Sequence, residues 1–309
     1  MGRGPAASGP ASPGERRRIR GTHVNGFTVE TPGPLTTIQD HGRAGFASLG
    51  VGSSGAADTR SYDLANRLVG NLDGAPALEI TLGGLSVRFD ATHEIVLTGA
   101  PASATINGIP FGHNSRIVVH EGDLLQVSTP TIGLRTYLAI RGGIDVPMVL
   151  GSASTDTLAD LGPGRLVSGQ RIAVGDRRGP YPPIDFAPAA QPTDRLSTLG
   201  IRLGPRDTWF TSESIRTLLD STWTVTTRAD RIGAELDGPL LERIHSVELP
   251  SEGVVTGALQ VPPSGRPTLF LSDHPVTGGY PVIAVASRRS IDLAAQARPG
   301  QQLRFVLDK

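Results

Sequence analysis

Leu85, Val87 and Phe89 alternate with Ser86 and Arg88, and the same two-residue rhythm links Ile117 to Val119, Leu125 to Val127, and Leu134 through Thr136 and Leu138 to Ile140. Gly, Pro, Asn or Asp bounds each run. A period of two places every second side chain on one face of an extended strand, whereas a helix needs apolar residues three and four apart. Short strands at even spacing predict an all-β barrel or sandwich. The 39 glycines and 25 prolines among 309 residues supply the tight turns such a fold needs, and aromatic residues are only 5%.

Helical signals are few. Asp58 can cap a helix over residues 59–69, with Tyr62, Ala65, Leu68 and Val69 on one face. A second helix starts near Thr211 and carries Ile215, Leu218 and Leu219; a third spans residues 291–297 before Pro299-Gly300. Residues 179–192 contain five prolines and read as a linker or extended crossover. Residues 1–25 hold no apolar run and are expected to be a disordered tail with an arginine cluster at Arg16, Arg17, Arg18 and Arg20. The expected domains are therefore residues 26–185 and 193–309.

Formal charge is zero, with 29 residues of each sign, so no global field draws the chain to nucleic acid or an anionic membrane. No apolar run approaches the ~20 residues of a membrane span, and a cytoplasmic location is expected. Cysteine is absent, which removes disulfides and thiolate chemistry. Lys309 is the only lysine, which removes an internal Schiff base, a phosphate-loop lysine, Ser-Ser-Lys amidase chemistry and a biotinylated lysine. His93, His113, His120 and His245 show no metal-ligand spacing, and no metal site is expected.

Four segments gather polar residues among glycines: 36–43, 52–58, 249–253 and 273–281. Asp40, His41 and Arg43 combine a carboxylate, an imidazole and a fixed cation, although from spacing alone a turn in which Asp40 pairs structurally with Arg43 is the simpler reading. Ser53-Ser54-Gly55 ahead of Asp58 can offer backbone N–H groups to an anion or simply tighten the entry to a helix. Gly278-Gly279 beside Tyr280 lets backbone approach a ligand, with Asp273 and Thr277 nearby, or forms a plain turn. Glu252 reads as a base or a paired surface carboxylate, and Asp230-Arg231 as an ion pair at a strand end.

Taken together, 34–43, 54–58, Ala65-Asn66-Arg67-Leu68-Val69-Gly70-Asn71, Leu78-Glu79-Ile80-Thr81, 248–253, Gln260-Val261-Pro262-Pro263 and 277–281 resemble one family over about residues 26–307. That family contains the C-type subunit of bacterial 5-oxoprolinase, the proteins called allophanate hydrolase subunit 2, and the biotin-dependent carboxyltransferase domain of urea carboxylase. The resemblance implies two linked cyclophilin-like β-barrel domains and a B-type partner, itself cyclophilin-like, in a heterodimer or heterotetramer. It implies ATP, as its Mg salt, for activating a lactam such as 5-oxoproline, or biotin carried on another subunit for carboxyl transfer to a urea-like nitrogen. A non-catalytic regulator of a kinase-inhibitor-like subunit is the third reading.

On this resemblance Asp40 or Glu252 serves as base, His41 tunes Asp40, Arg43 and Arg231 orient an anionic group, and Tyr280 contacts the ligand. Ser54, Asp58, Gln260, Asp273, Thr277, Gly278 and Gly279 complete the expected binding set. The chain departs from the family at Ile232, Ala234 and Glu235, where a tyrosine and an arginine are missing, and at His274 and Val276.

Overall fold

A computed structural model describes residues 25–308 apart from Ser246 and Glu248, together with Met1. The expected tail with its arginine cluster lies outside the described residues. The two largest hydrophobic cores among the described residues lie one on each side of the proline-rich segment 179–192. The alternating runs become strands at Leu85–Phe89, Ile117–Val119, Leu124–Val127 and Arg135–Ile140.

In the first half, a seven-stranded sheet runs in the order Ile144–Asp145, Arg171–Val174, Gly26–Pro32, Leu85–Phe89, Leu124–Val127, Ala104–Ile106 and Ile109–Phe111. A five-stranded sheet packs against it in the order Leu35–Gln39, Ala77–Thr81, Arg135–Ile140, His93–Gly99 and Ile117–Val119. Phe27, Ile38, Leu78, Leu97 and Leu138 fill the space between. Helix α1 (Thr59–Leu68) covers the outer face of the five-stranded sheet, setting Tyr62, Ala65 and Leu68 on Val96, Tyr137 and Ala139. Covered on both faces, Arg135–Ile140 is buried at every position.

The second half is a closed seven-stranded barrel in the order Ser197–Leu203, Val282–Ala286, Ala258–Gln260, Thr268–Phe270, Gly233–Asp237, Thr222–Ala229 and Gln302–Leu307. Closure pairs the first and last of these strands in parallel. Closure removes sheet edges. Trp223, Leu236, Leu259 and Phe305 form its core. Helix α2 (Ser212–Asp220) starts at the Thr211 cap, whose side chain accepts from Ser214 N. Helix α3 (Arg288–Ala294) begins three residues before the expected start, because Ser287 is the cap and the first turn includes two exposed arginines that carry no apolar periodicity.

Segment 179–192 lies along the first half. Its backbone bonds Gly70, Asn114 and Arg116, and Tyr181 stacks under Arg141 and Arg116 while donating to Glu94 Oε1 at 2.6 Å. No helix among the described residues is long and apolar enough to cross a membrane.

Candidate functional site

The second and fourth polar segments meet across the boundary between the halves. Arg231 and Asp273 come from the barrel, Ser54 and Glu79 from the first half, and all four are buried. The Arg231 guanidinium donates to both Asp273 oxygens at 2.8 and 2.9 Å, to Glu79 Oε1 at 2.5 Å and to Gly55 O at 2.7 Å. Ser54 Oγ donates to Asp273 Oδ1 at 2.6 Å, and Thr157 N and Oγ1 donate to Asp273 Oδ2. Burial alone would raise the pKa of Glu79 and Asp273, but the cations beside them, chiefly Arg231, reverse it and hold both carboxyls below their usual range. Arg231 in turn titrates higher, since Glu79 and Asp273 outweigh its desolvation. The expected Asp230–Arg231 pair does not form: Asp230 instead accepts from Ile232 N and Gly233 N, closing a turn that points the guanidinium inward.

The network continues through Tyr137, whose hydroxyl donates to Glu79 Oε2 and accepts from Asp58 N. Asp58 caps α1 through Ser61 and accepts from Gln296 Nε2 at 2.7 Å. Gln296 Oε1 in turn accepts from the Leu134 and Arg135 backbone. Each half thus closes the polar groups of the other.

Asp40 lies beside this network without joining it. Ser152 Oγ, Ser154 Oγ, Ala153 N and Gly42 N donate to its carboxylate at 2.6 to 2.7 Å. Four donors leave little capacity for a substrate proton, so the geometry makes Asp40 the anchor of the 152–154 loop. Gly42 has φ +82°, and a Cβ there would meet Ser53 O at 2.3 Å, so this turn requires glycine. Arg43 does not pair with Asp40; it donates to Ser154 O and lies 3.8 Å from Asp156. Nor does His41 reach Asp40: its Nε2 is 2.8 Å from Asp63 Oδ1, with the ring edge against Tyr62. Tight turn geometry explains all three, because successive side chains leave a turn in different directions.

Between the halves opens a cavity of about 290 Å³, lined among others by His41, Ser53, Ser54, Thr256, Arg288 and Asp292. Asp292 on α3 accepts from Thr59 N and Oγ1 at 2.9 and 2.8 Å, reaching the N-terminus of α1 across the boundary. Burial, followed by the charge of Asp58, lifts its pKa to about 6. A carboxyl titrating there can exchange a proton near neutral pH. Because the folded value lies above the ordinary 3.8, the folded chain holds the extra proton between pH about 4 and 6. Stability conferred by that proton is present at the acid end and lost as pH rises to about 6. Asp292→Asn keeps the acceptor and is expected to flatten this part of the melting temperature against pH profile; an unchanged slope in differential scanning fluorimetry would refute it.

The remaining expected residues lie on the barrel around a two-stranded ribbon, Glu252–Gly253 with Thr277–Gly278. Glu252 forms a two-pronged pair with Arg206, and Gln260 Nε2 donates to Tyr280 O, leaving the Tyr280 ring half exposed. Among the described residues no hydrogen bond or ion pair joins Glu252, Gln260, Thr277, Gly278, Gly279 or Tyr280 to the cleft. Of the departures, Glu235 faces outward to Arg228 and Ala234 packs in the barrel core. His274 is buried against Phe270, while the Ile232 and Val276 carbonyls accept backbone bonds from Leu271 N and Val254 N, extending the adjacent strand pairs.

Glu79, Asp292, Gln296, Thr256 and Arg288 were not singled out as site residues from sequence. Glu79 carries a readable signal, a charge inside the apolar strand Ala-Leu-Glu-Ile-Thr; the others carry none.

Residues 49–307 match the family described as carboxyltransferase domain, subdomain A and B. The chain is 37% identical over 277 residues to the C-type subunit of 5-oxoprolinase from Escherichia coli (strain K12), covering 89% of this chain and 88% of that protein. It is 33% identical over 307 residues to urea amidolyase of Lachancea kluyveri, covering 91% of this chain but 17% of that protein. The solved structure of the K. lactis urea amidolyase superposes with a TM-score of 0.86 at 32% identity, over 92% of this chain and 19% of that one. The chain therefore spans nearly all of one relative and less than a fifth of the other two. A match of this extent places the chain in the carboxyltransferase domain, subdomain A and B, family.

Proposed function

We propose that this chain is the C-type subunit of an ATP-dependent enzyme that opens a lactam, 5-oxoproline first, in concert with a B-type subunit. The observation that carries this reading is the near end-to-end match, at 37% identity, to the C-type subunit of 5-oxoprolinase. The inter-half cleft is where we place its chemistry. Arg288 faces the anionic group of a small substrate, His41 and Asp292 exchange protons with a lactam nitrogen or carbonyl oxygen, and the serines and backbone at Ser53-Ser54 orient it. A lactam carbonyl is a poor electrophile until its oxygen becomes a better leaving group, and nucleotide phosphate supplies that activation when bound.

The cleft does not fit a triphosphate by itself. Its wall holds one arginine and no lysine, against the carboxylate of Asp292. The second subunit must therefore supply the phosphate-binding donors and the Mg-bound nucleotide. The chain's fit to the K. lactis urea amidolyase supports a second reading, carboxyl transfer from biotin held elsewhere; a small polar cleft suits urea as well as a lactam.

The test is phosphate release by the full chain mixed with its B-type partner. Release that depends on 5-oxoproline is expected, with Asp292→Asn lowering the rate at least tenfold. Release indifferent to the lactam would exclude this reading and favour carboxyl transfer.

A further inference from the structure

His41, which lines the cleft, also meets Asp63 and Asp73. One possible ligand atom from each, the imidazole nitrogen and a carboxylate oxygen of either aspartate, lies within 4.8 Å of the other two. His41 Nε2 is 2.8 Å from Asp63 Oδ1 and 4.0 Å from Asp73 Oδ1. A four-coordinate Zn²⁺ ion holds nitrogen and oxygen ligands at about 2.0–2.2 Å, which sets neighbouring ligand atoms roughly 3.3 Å apart. The two measured distances bracket that value. Asp73, whose side chain is 92% exposed, has room to swing inward and close the longer one.

The three donors come from three different segments, and packing fixes the backbone of each. His41 follows the Asp40 anchor in the turn that requires Gly42. Its ring stands edge-on to Tyr62 with Nδ1 toward Gly74, so Nε2 faces the carboxylates. Asp63 is carried by α1. Asp73 sits in a turn closed by Ala75 N on Leu72 O, and the Ala75 carbonyl is held to α1 by Tyr62 Oη at 2.7 Å and Asn66 Nδ2 at 2.9 Å. Donors placed in advance lose little freedom when an ion arrives. Charge points the same way. Two carboxylates share one imidazole, and among the described residues no arginine comes within ion-pair distance of either.

We propose that His41, Asp63 and Asp73 bind a divalent transition-metal ion of the Zn²⁺ type beside the cleft, with water in the remaining position. One imidazole and two carboxylates make a mixed nitrogen and oxygen donor set that suits such an ion; Mg²⁺, which demands near-octahedral oxygen coordination, fits it poorly. The expectation of no metal site rested on the spacing of His93, His113, His120 and His245. His41 escapes such a search because its partners are aspartates, the nearer of them 22 positions away. The site stands independently of the lactam reading. An ion on Nε2 takes the place of a proton there, so the loaded chain leaves proton exchange in the cleft to Asp292.

Isothermal titration of the chelator-treated full chain with Zn²⁺ at neutral pH tests the site, with Co²⁺ as an optical probe of its geometry. One ion per chain is expected, together with the intense visible bands of four-coordinate Co²⁺. Losing even an outer partner of a metal ligand costs about 10–100-fold in affinity. His41→Ala and Asp63→Asn are each expected to cost at least that at an unchanged melting temperature, Asp73→Asn somewhat less, and His120→Ala nothing. Should His41→Ala disturb its turn, Asp63→Asn on the helix still decides the matter. No uptake of Zn²⁺, or uptake untouched by His41→Ala and Asp63→Asn, would overturn the site, as would loss in His120→Ala alone, which would move the ion to that exposed histidine. Lactam-dependent phosphate release is a separate measurement, so its failure leaves this result readable.

Discussion

Arg231→Ala is expected to destabilise the chain by about 3–5 kcal/mol, because removing one partner strands the others as buried charge. Glu79 and Asp273 would lose their shared cation while remaining inaccessible to water. Arg135 lies 3.4 Å from Glu79 and offers that carboxylate a remnant partner; Asp273 has none comparable. Arg231→Lys should fall between, since an ammonium cannot reproduce the fork to both oxygens of Asp273. The two carboxyls titrate below their ordinary range in the folded chain. The stability they confer is therefore present above the unfolded carboxylate values and lost as pH falls through the folded ones. In Arg231→Ala this acid-side loss should shrink. Urea unfolding at several pH values measures both effects, and a variant within about 1 kcal/mol of the parent would show that the network does not hold the halves together.

Asp40→Ala and Asp40→Asn are expected to destabilise alike, by about 3 kcal/mol or more, from several buried donors losing an acceptor at about 1 kcal/mol or more each. Asparagine keeps one oxygen but turns an amide toward donors such as Ala153 N, so shape alone does not rescue the site. A residue acting as a base behaves differently: asparagine would leave the fold intact and remove turnover. Melting temperatures of the two variants, followed by activity at a temperature where both remain folded, separate an anchor from a base. A stable but inactive Asp40→Asn would restore the catalytic assignment.

Local features explain what could be read in advance. The strands at Leu85–Phe89 and Arg135–Ile140 announce themselves because a period of two needs only neighbouring residues. Asp58 and Thr211 mark helix starts for an equally local reason, since a cap bonds an N–H three residues on. The third helix was displaced because Arg288 and Arg289 carry no apolar signal at its first turn. His41, Ser54, Arg231 and Asp273 were legible as polar residues among glycines, but not their partners. Arg231 looked paired with its neighbour Asp230, yet a turn sends it to Glu79, 152 positions away in sequence.

The sequence by itself determined the β-rich class, the family, the absence of thiol and internal lysine chemistry, and the segments that carry polar residues. All of these depend on residue identity or on spacings of a few residues. Only the tertiary structure decided which of those segments meet. It joined Ser54 to Asp273 across 219 positions and Thr59 to Asp292 across 233, and left Glu252 and Tyr280 on a separate ribbon. Two sheets and a closed barrel bury their own faces from local patterns, but the surface between them is polar, and its pairing follows from desolvation. A charge entering that boundary needs an opposite charge from the other half, and no periodicity along one chain records which one it will be.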